Sequence, residues 1–223
     1  VNAYAERQPA DAKSQIVVRG WPGIADWATC GMGPVRGMHT MAGTPYVVSG
    51  ESLYTIDRHG TATLVGAGII GSSPVSIADN GTEVAVVNNG FGWTYDATNG
   101  LRMITSPNFH GANSVAFFKS LFCFDRRNTN QFYHSEVLDG QTYVALNYGA
   151  AETSSDNVVA VTEYKGNLIV WGGETTEPWF FSGAVVFPFQ LYDGATIQRG
   201  LAAPLAVAKE DESLFFLGSD RMA

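Results

Sequence analysis

The stretch Leu64-Val65-Gly66-Ala67-Gly68-Ile69-Ile70-Gly71-Ser72-Ser73 places three glycines in the G-x-G-x-x-G spacing that cradles a dinucleotide pyrophosphate. That chemistry needs a strand before the glycines, a helix after them and an acid about twenty residues further on. Here the glycines are followed by Ser72-Ser73-Pro74-Val75-Ser76-Ile77, where a proline and β-branched side chains oppose a helix. Without a helix N-terminus there is neither a dipole nor a set of free N–H groups to receive a phosphate. At the acidic position stand Asn88 and Asn89. The stretch reads as a sharp bend between two strands, and no cofactor is expected.

The rest of the chain repeats that choice of strand and turn. Short alternating runs are bounded by Ser49-Gly50, His59-Gly60, Asn80-Gly81, Asn89-Gly90, Asn99-Gly100, Asp139-Gly140, Lys165-Gly166 and Asp193-Gly194. Several of these pairs tolerate the positive φ of tight hairpin turns. Gly is abundant at 25 residues, aromatics reach 12% and charged residues only 15%, a balance that suits short strands better than helices.

The strands group in fours, over 35–65, 75–105, 114–146 and 158–192, with a fifth group starting at 204 and breaking off at 223. The second strand of each group begins near residues 46, 83, 121, 167 and 213, so the repeat is roughly 37 to 46 residues. That is the period of a propeller blade, four antiparallel strands set face to face around a channel. The predicted class is all-β, a single β-propeller domain of about four and a half blades, with a β-sandwich as the alternative. An unfinished propeller exposes a strand edge. Residues 15–19 would supply a closing strand for the last blade, and the truncated fifth group implies that further blades lie beyond residue 223.

Composition limits the functions. A net charge of −8 argues against a surface that grips nucleic acid through its phosphates. No run approaches eighteen apolar residues, so no membrane span is expected. The start at Val1 lacks the basic and apolar runs of a secretory signal. Cys30 and Cys123 are too few for a disulfide framework and read as free thiols. His39, His59, His110 and His134 are scattered, so no metal site is expected; His134, on a strand, reads as a partly buried polar contact. Asp125–Asn130 lacks the glycine and closing glutamate of a calcium loop and reads as a hairpin tip. No G-x-S-x-G elbow appears.

One constellation points to an enzyme. Glu174 and Glu177 flank a turn beside Trp179, Phe180 and Phe181, an acid pair with an aromatic platform as sugar chemistry requires. A carbohydrate-binding or glycoside-hydrolysing propeller module is therefore the alternative function. The competing reading is a polar turn followed by core aromatics, or a turn that meets another protein.

The segment Arg19-Gly20-Trp21-Pro22-Gly23-Ile24, preceded by Val1-Asn2-Ala3-Tyr4-Ala5-Glu6, resembles the opening of the podophage packaged-DNA stabilisation family, the tail accessory factors of short-tailed phages. Further elements are similar in order and spacing, among them Gln131–Ser135, Leu138–Tyr143, Ala151–Val159 and Asn167–Gly172. The most specific is Thr176–Gly183 followed by Phe187–Gln190, and Ile197–Gly200 and Leu214–Gly218 complete the run. Pro178 stands where a β-former such as Val is expected, which suggests an edge position.

The resemblance implies a structural, non-enzymatic virion protein, made in the host bacterial cytoplasm and assembled in the tail or neck. By that resemblance it is a ring of six copies that plugs the portal channel, keeps packaged DNA in place and joins the portal-adaptor ring to the tail needle and tailspikes. Its contact with DNA would be passing and without sequence preference. Candidate interface residues are Trp21, Pro22, Gly23, Arg126, Arg127, Glu174, Glu177 and Trp179, because loops carry contacts and Trp and Arg are frequent anchors.

Overall fold

In a computed structural model of the chain, the residues described are 3–21, 23 and 25–219, and they contain strands, turns and no helix. An N-terminal hairpin pairs β1 (Ala3–Arg7) with β2 (Ile16–Gly20). The first four-stranded sheet is β3 (Val35–Met41), β4 (Thr44–Ser49), β5 (Ser52–Ile56) and β6 (Ala62–Ala67). The second is β7 (Ser76–Asp79), β8 (Glu83–Asn88), β9 (Phe91–Asp96) and β10 (Gly100–Met103). The third is β11 (Val115–Phe118), β12 (Leu121–Asp125), β13 (Gln131–His134) and β14 (Tyr148–Ala150). The fourth is β15 (Val158–Tyr164), β16 (Asn167–Gly172), β17 (Thr176–Phe181) and β18 (Phe189–Leu191). In the fifth unit β19 (Gly200–Leu201) pairs with β22 (Gly218–Ser219) around the hairpin β20 (Val207–Glu210) and β21 (Ser213–Phe216). Each four-stranded sheet is an antiparallel meander whose strands pair in chain order.

The second strands explain why propeller and not sandwich. β8, β12 and β16 are almost continuously apolar and buried, as strands covered on both faces must be. Their alternation decides which core each side chain enters. Val84 and Val86 of β8 join Val48, Leu53 and Trp93 between the first and second sheets. Ala85 and Val87 enter the next core with Phe122, Phe124 and Tyr133. On β12, Leu121 and Cys123 turn the other way to meet Phe132, Leu168, Val170 and Trp179. Ile169 and Trp171 of β16 then face Leu201, Leu214 and Phe216 of the fifth unit. In a two-sheet sandwich the outer faces would meet solvent; here the inner three sheets are covered on both sides. The first strands β3, β7, β11 and β15 lie side by side at the centre, and the sheets do not close a ring among the described residues.

Three local expectations change. Ile16–Gly20 is a strand, but its partner is Ala3–Arg7 and not the last unit. The outer strand of the third sheet is Tyr148–Ala150, not 143–146, because Tyr143 leaves the surface. Its ring packs on Phe109 and Phe124, and its hydroxyl donates to the Gly140 carbonyl at 2.8 Å. Pro178 sits in an interior strand, between β16 and β18, rather than on an edge. Its carbonyl faces β18 and accepts from Tyr192 N at 3.1 Å, just past the end of that strand, so the missing N–H falls where the ladder has run out.

Candidate functional site

The glycine stretch is the crossover from β6 to β7. Gly68 and Gly71 take φ of +106° and +99°, values that side chains rarely allow. Gly66 lies inside β6, where an added Cβ would meet the Leu101 Cβ of the neighbouring sheet at 2.3 Å. The amides a phosphate would need are already engaged: Gly68 N and Ile69 N both donate to the Glu51 carbonyl at 2.9 Å. The loop instead presents carbonyls. Arg36, buried on β3, donates to Ile69 O at 2.7 Å, Gly50 O at 2.8 Å and Ser73 O at 2.8 Å. A guanidinium holds the loop from below, which is the reverse polarity of an anion site.

Two further acids, Asp125 buried and Asp156 half-buried, fasten other crossovers. Asp125 ends the apolar run of β12 and is fully buried. It accepts from Asn113 N at 2.9 Å, from Ser114 N at 2.6 Å and from the Ser114 hydroxyl at 2.9 Å. Burial pushes its carboxyl up to about 6, and those hydrogen bonds pull against the rise. Ser114 Oγ in turn accepts from Val161 N at 2.9 Å, tying the third sheet to the fourth. Asp156 receives Glu174 N at 2.7 Å and Thr175 N at 3.0 Å.

At the centre the first strands enclose a cleft of about 380 Å³, lined by β3, β7, β11, β15 and the fifth unit. Its ionisable groups are paired across strands: His39 Nε2 lies 2.5 Å from Asp79 Oδ2, and Lys209 Nζ donates to Glu163 Oε2 at 3.0 Å. Among the described residues no three His, Cys, Asp or Glu side chains gather as a metal site. The cleft can hold a small polar molecule, but its charged groups are already matched.

The expected interface residues are scattered. Trp21 is 57% exposed and meets Tyr4 edge-on at 5.2 Å. A Cβ added at Gly23 would meet nothing within 4 Å, and Pro22 lies outside the described residues. Arg126 donates to Gln131 Oε1 at 2.6 Å, and Arg127 reaches across to Asn89 O at 2.9 Å, joining a turn of the third sheet to one of the second. Glu174 is half-buried beside the Asp156 cap.

Glu177 and Trp179 correct the expectation. Glu177 is 1% exposed, with one oxygen accepting from Thr153 N at 3.0 Å and the other from Trp179 Nε1 at 3.1 Å. Trp179 packs edge-on against Phe132 inside the core. Neither offers a surface, and the acid pair with an aromatic platform is not formed. Cys30 and Cys123 are both free thiols, and burial raises the pKa of each, making them weaker acids. The roles of Arg36, Asp125 and Asp156 went unrecognised in the sequence: Asp125, read there as part of a hairpin tip, is buried at the end of the apolar run of β12, and Asp156 stands in a polar loop with no local signal of its partners.

The family model described as Bacteriophage P22 Gp10, beta-propeller, matches residues 1–223. The chain belongs to this phage stabilisation family. Its members are phage structural proteins, and the blade-like sheets above are the fold that the family description names. No curated protein matches the chain. Among solved structures, the computationally designed Ika8 protein aligns with 14% identity and a TM-score of 0.52, covering 82% of this chain and 54% of its own. YCF48 from Cyanidioschyzon merolae aligns at 11% identity and a TM-score of 0.52, covering 79% and 64%. The extracellular domain of BT4673 from B. thetaiotaomicron aligns at 16% identity and a TM-score of 0.53, covering 92% and 29%. These likenesses concern the fold alone. The Gp10-family chain spans less than two thirds of each of these structures.

Proposed function

We propose that the chain is a non-enzymatic building block of a short-tailed phage virion. It forms a ring, six copies by family resemblance, that closes the portal channel behind packaged DNA. The ring also joins the portal-adaptor ring to the tail needle and tailspikes. The observation that carries this reading is the match to the phage stabilisation family along the whole chain. The buried Glu177 removes the second acid that a glycosidase would need. An acidic protein beside a DNA passage repels phosphates and lets the genome slide. The central cleft of about 380 Å³ is of small-molecule size, so DNA would pass between copies and not through one propeller.

The test is a phage in which this gene is interrupted and then complemented. The expected result is heads that fill and then lose DNA, without attached needles or spikes, and full recovery on complementation. Interrupted phage that retain DNA and carry complete tails would overturn the reading.

A further inference from the structure

Beside the turn between β5 and β6 lies a pocket of about 360 Å³, a volume that holds a small molecule. β4 lends it Thr44 and Pro45, β5 lends Thr55, the turn lends Asp57 and Arg58, and β6 lends Thr63. Thr55 and Thr63 stand opposite each other across β5 and β6, so their hydroxyls share a face. The remaining wall is Trp27, from the segment ahead of the first sheet. Its carbonyl lies so near Gly60 that a Cβ there would sit 2.1 Å from it. The bare glycine of the turn therefore lets this segment lie down beside the pocket. Trp27 itself remains 55% exposed.

The polar groups of this lining are open to a ligand. Asp57 accepts from His59 N and Thr61 N at 2.8 Å, both through Oδ1, so Oδ2 has a lone pair left. The hydrogen bond from Thr61 N, foremost, holds the carboxyl below its usual range, which makes it a charged acceptor at neutral pH. Arg58 uses Nε on His59 Nε2 at 3.1 Å and keeps its two terminal nitrogens. Among the described residues the hydroxyls of Thr44, Thr55 and Thr63 make no hydrogen bond to the protein. The central cleft differs, because its charges are paired with one another. One acid beside one base favours neither an anion nor a cation. The match is a neutral molecule with many hydroxyls and one apolar face. Its hydroxyls would bond to the threonines, the carboxylate and the guanidinium. Its C–H face would lie on the indole, whose ring face is electron-rich.

We propose that this pocket binds a neutral pyranose sugar, with the Trp27 indole against the C–H face of the ring and Thr44, Thr55, Thr63, Asp57 and Arg58 engaging its hydroxyls. The site binds and does not cleave. Among the described residues Asp57 is the single carboxylate of the lining, and glycoside hydrolysis takes two. The sugar chemistry expected at Glu174, Glu177 and Trp179 is assembled instead at the first sheet. A nucleobase would stack on the same indole, but a nucleotide brings phosphate. For that the pocket offers one guanidinium beside a carboxylate, in a chain of net charge −8. The inference is independent of the ring-forming reading, since one copy carries the whole site.

The test is saturation-transfer difference NMR on the full chain with the methyl glycosides of glucose, galactose, mannose and rhamnose, one at a time, and with AMP. At least one glycoside is expected to bind with a Kd of about 1–10 mM, as suits a small ligand in an open site, and to show its strongest saturation on ring C–H protons. Trp27→Ala is expected to remove that signal, and Trp27→Tyr, which keeps a ring, to hold affinity within about threefold. Thr63→Val keeps the shape of an exposed side chain, removes its hydroxyl and should weaken binding about fivefold. Circular dichroism checks the fold of each variant. Where Trp27→Ala loses its fold, Thr63→Val decides, and unchanged affinity there overturns the proposal. Signals equal in Trp27→Ala and wild type, or no signal from any glycoside, would also overturn it. AMP that displaces the glycoside, or binds where no glycoside does, would overturn it in favour of a nucleobase site.

Discussion

Gly66→Ala tests the packing of two neighbouring sheets with a single methyl group. The new Cβ would lie 2.3 Å from Leu101 Cβ, 2.8 Å from Leu101 Cδ2 and 3.1 Å from Leu101 Cγ. Carbon atoms settle near 3.5–4.0 Å, so β6 and β10 must separate by about 1 Å, against the pairing of Gly66 with Leu53 on the other side. Overpacking of this kind costs about 3 kcal/mol, enough to lower Tm by about 6–12 °C in a domain of this size. Gly68→Ala is the control. Nothing lies within 4 Å of its Cβ, but its φ of +106° strains any side chain, for about 1–3 kcal/mol. Urea denaturation of Gly66→Ala, Leu101→Gly and the double variant gives the coupling. Leu101→Gly removes the clashing Cβ, so the double variant should be more stable than the sum of the single effects by about 2 kcal/mol. Gly68→Ala should be additive with Leu101→Gly within about 0.5 kcal/mol. A wild-type midpoint for Gly66→Ala, or an additive Gly66/Leu101 pair, would refute the close approach of the two sheets.

Asp125 supplies a pH test with a definite sign. Its folded pKa of about 6 exceeds the unfolded value of about 3.9, so the stability it contributes is present at low pH and is lost as pH rises through 6. Stability relative to Asp125→Asn should fall by about 2 kcal/mol between pH 4.5 and 7; a difference that grows with pH means that the hydrogen bonds from Ser114 and Asn113 outweigh burial. Ser120→Gly should stabilise by about 1 kcal/mol in a denaturant melt, because Ser120 holds a φ of +66° in the turn between β11 and β12; an unchanged or lower midpoint would show that the serine is not strained there. Glu177→Ala leaves Thr153 N and the Trp179 indole without their acceptor and should cost about 2–4 kcal/mol, with Glu177→Gln milder; equal midpoints for both variants and wild type would contradict the buried role.

The fold was legible because β-structure announces itself through turns, and the turns here are spaced by the blade. Asn89-Gly90 is the clearest: φ of 47° and 90° make it the two-residue turn that joins β8 to β9. Ala42 and the Lys119-Ser120 pair occupy the same left-handed region without asparagine or glycine to signal it at those positions. There the flanking strands impose the turn. The functional residues were less legible for a related reason. Trp179 and Glu177 look like a surface platform when only neighbours in sequence are considered. Their burial depends on Phe132 and Thr153, which arrive from the preceding sheet. Likewise His134 reads as an ordinary strand histidine until the 183–188 loop of the next sheet is brought over it. In a fold built of sequential units, the sequence shows what each unit pairs within itself. What it meets across the gap to the next unit is set by how blades pack, and the corrections at Glu177 and Trp179 fall there, whereas Pro178 is corrected within its own sheet and Ile16–Gly20 by its pairing with Ala3–Arg7. The hairpin of Ala3–Arg7 with Ile16–Gly20 pairs with none of the four-stranded sheets, so the packing of successive sheets leaves its Ile16 and Val18 exposed.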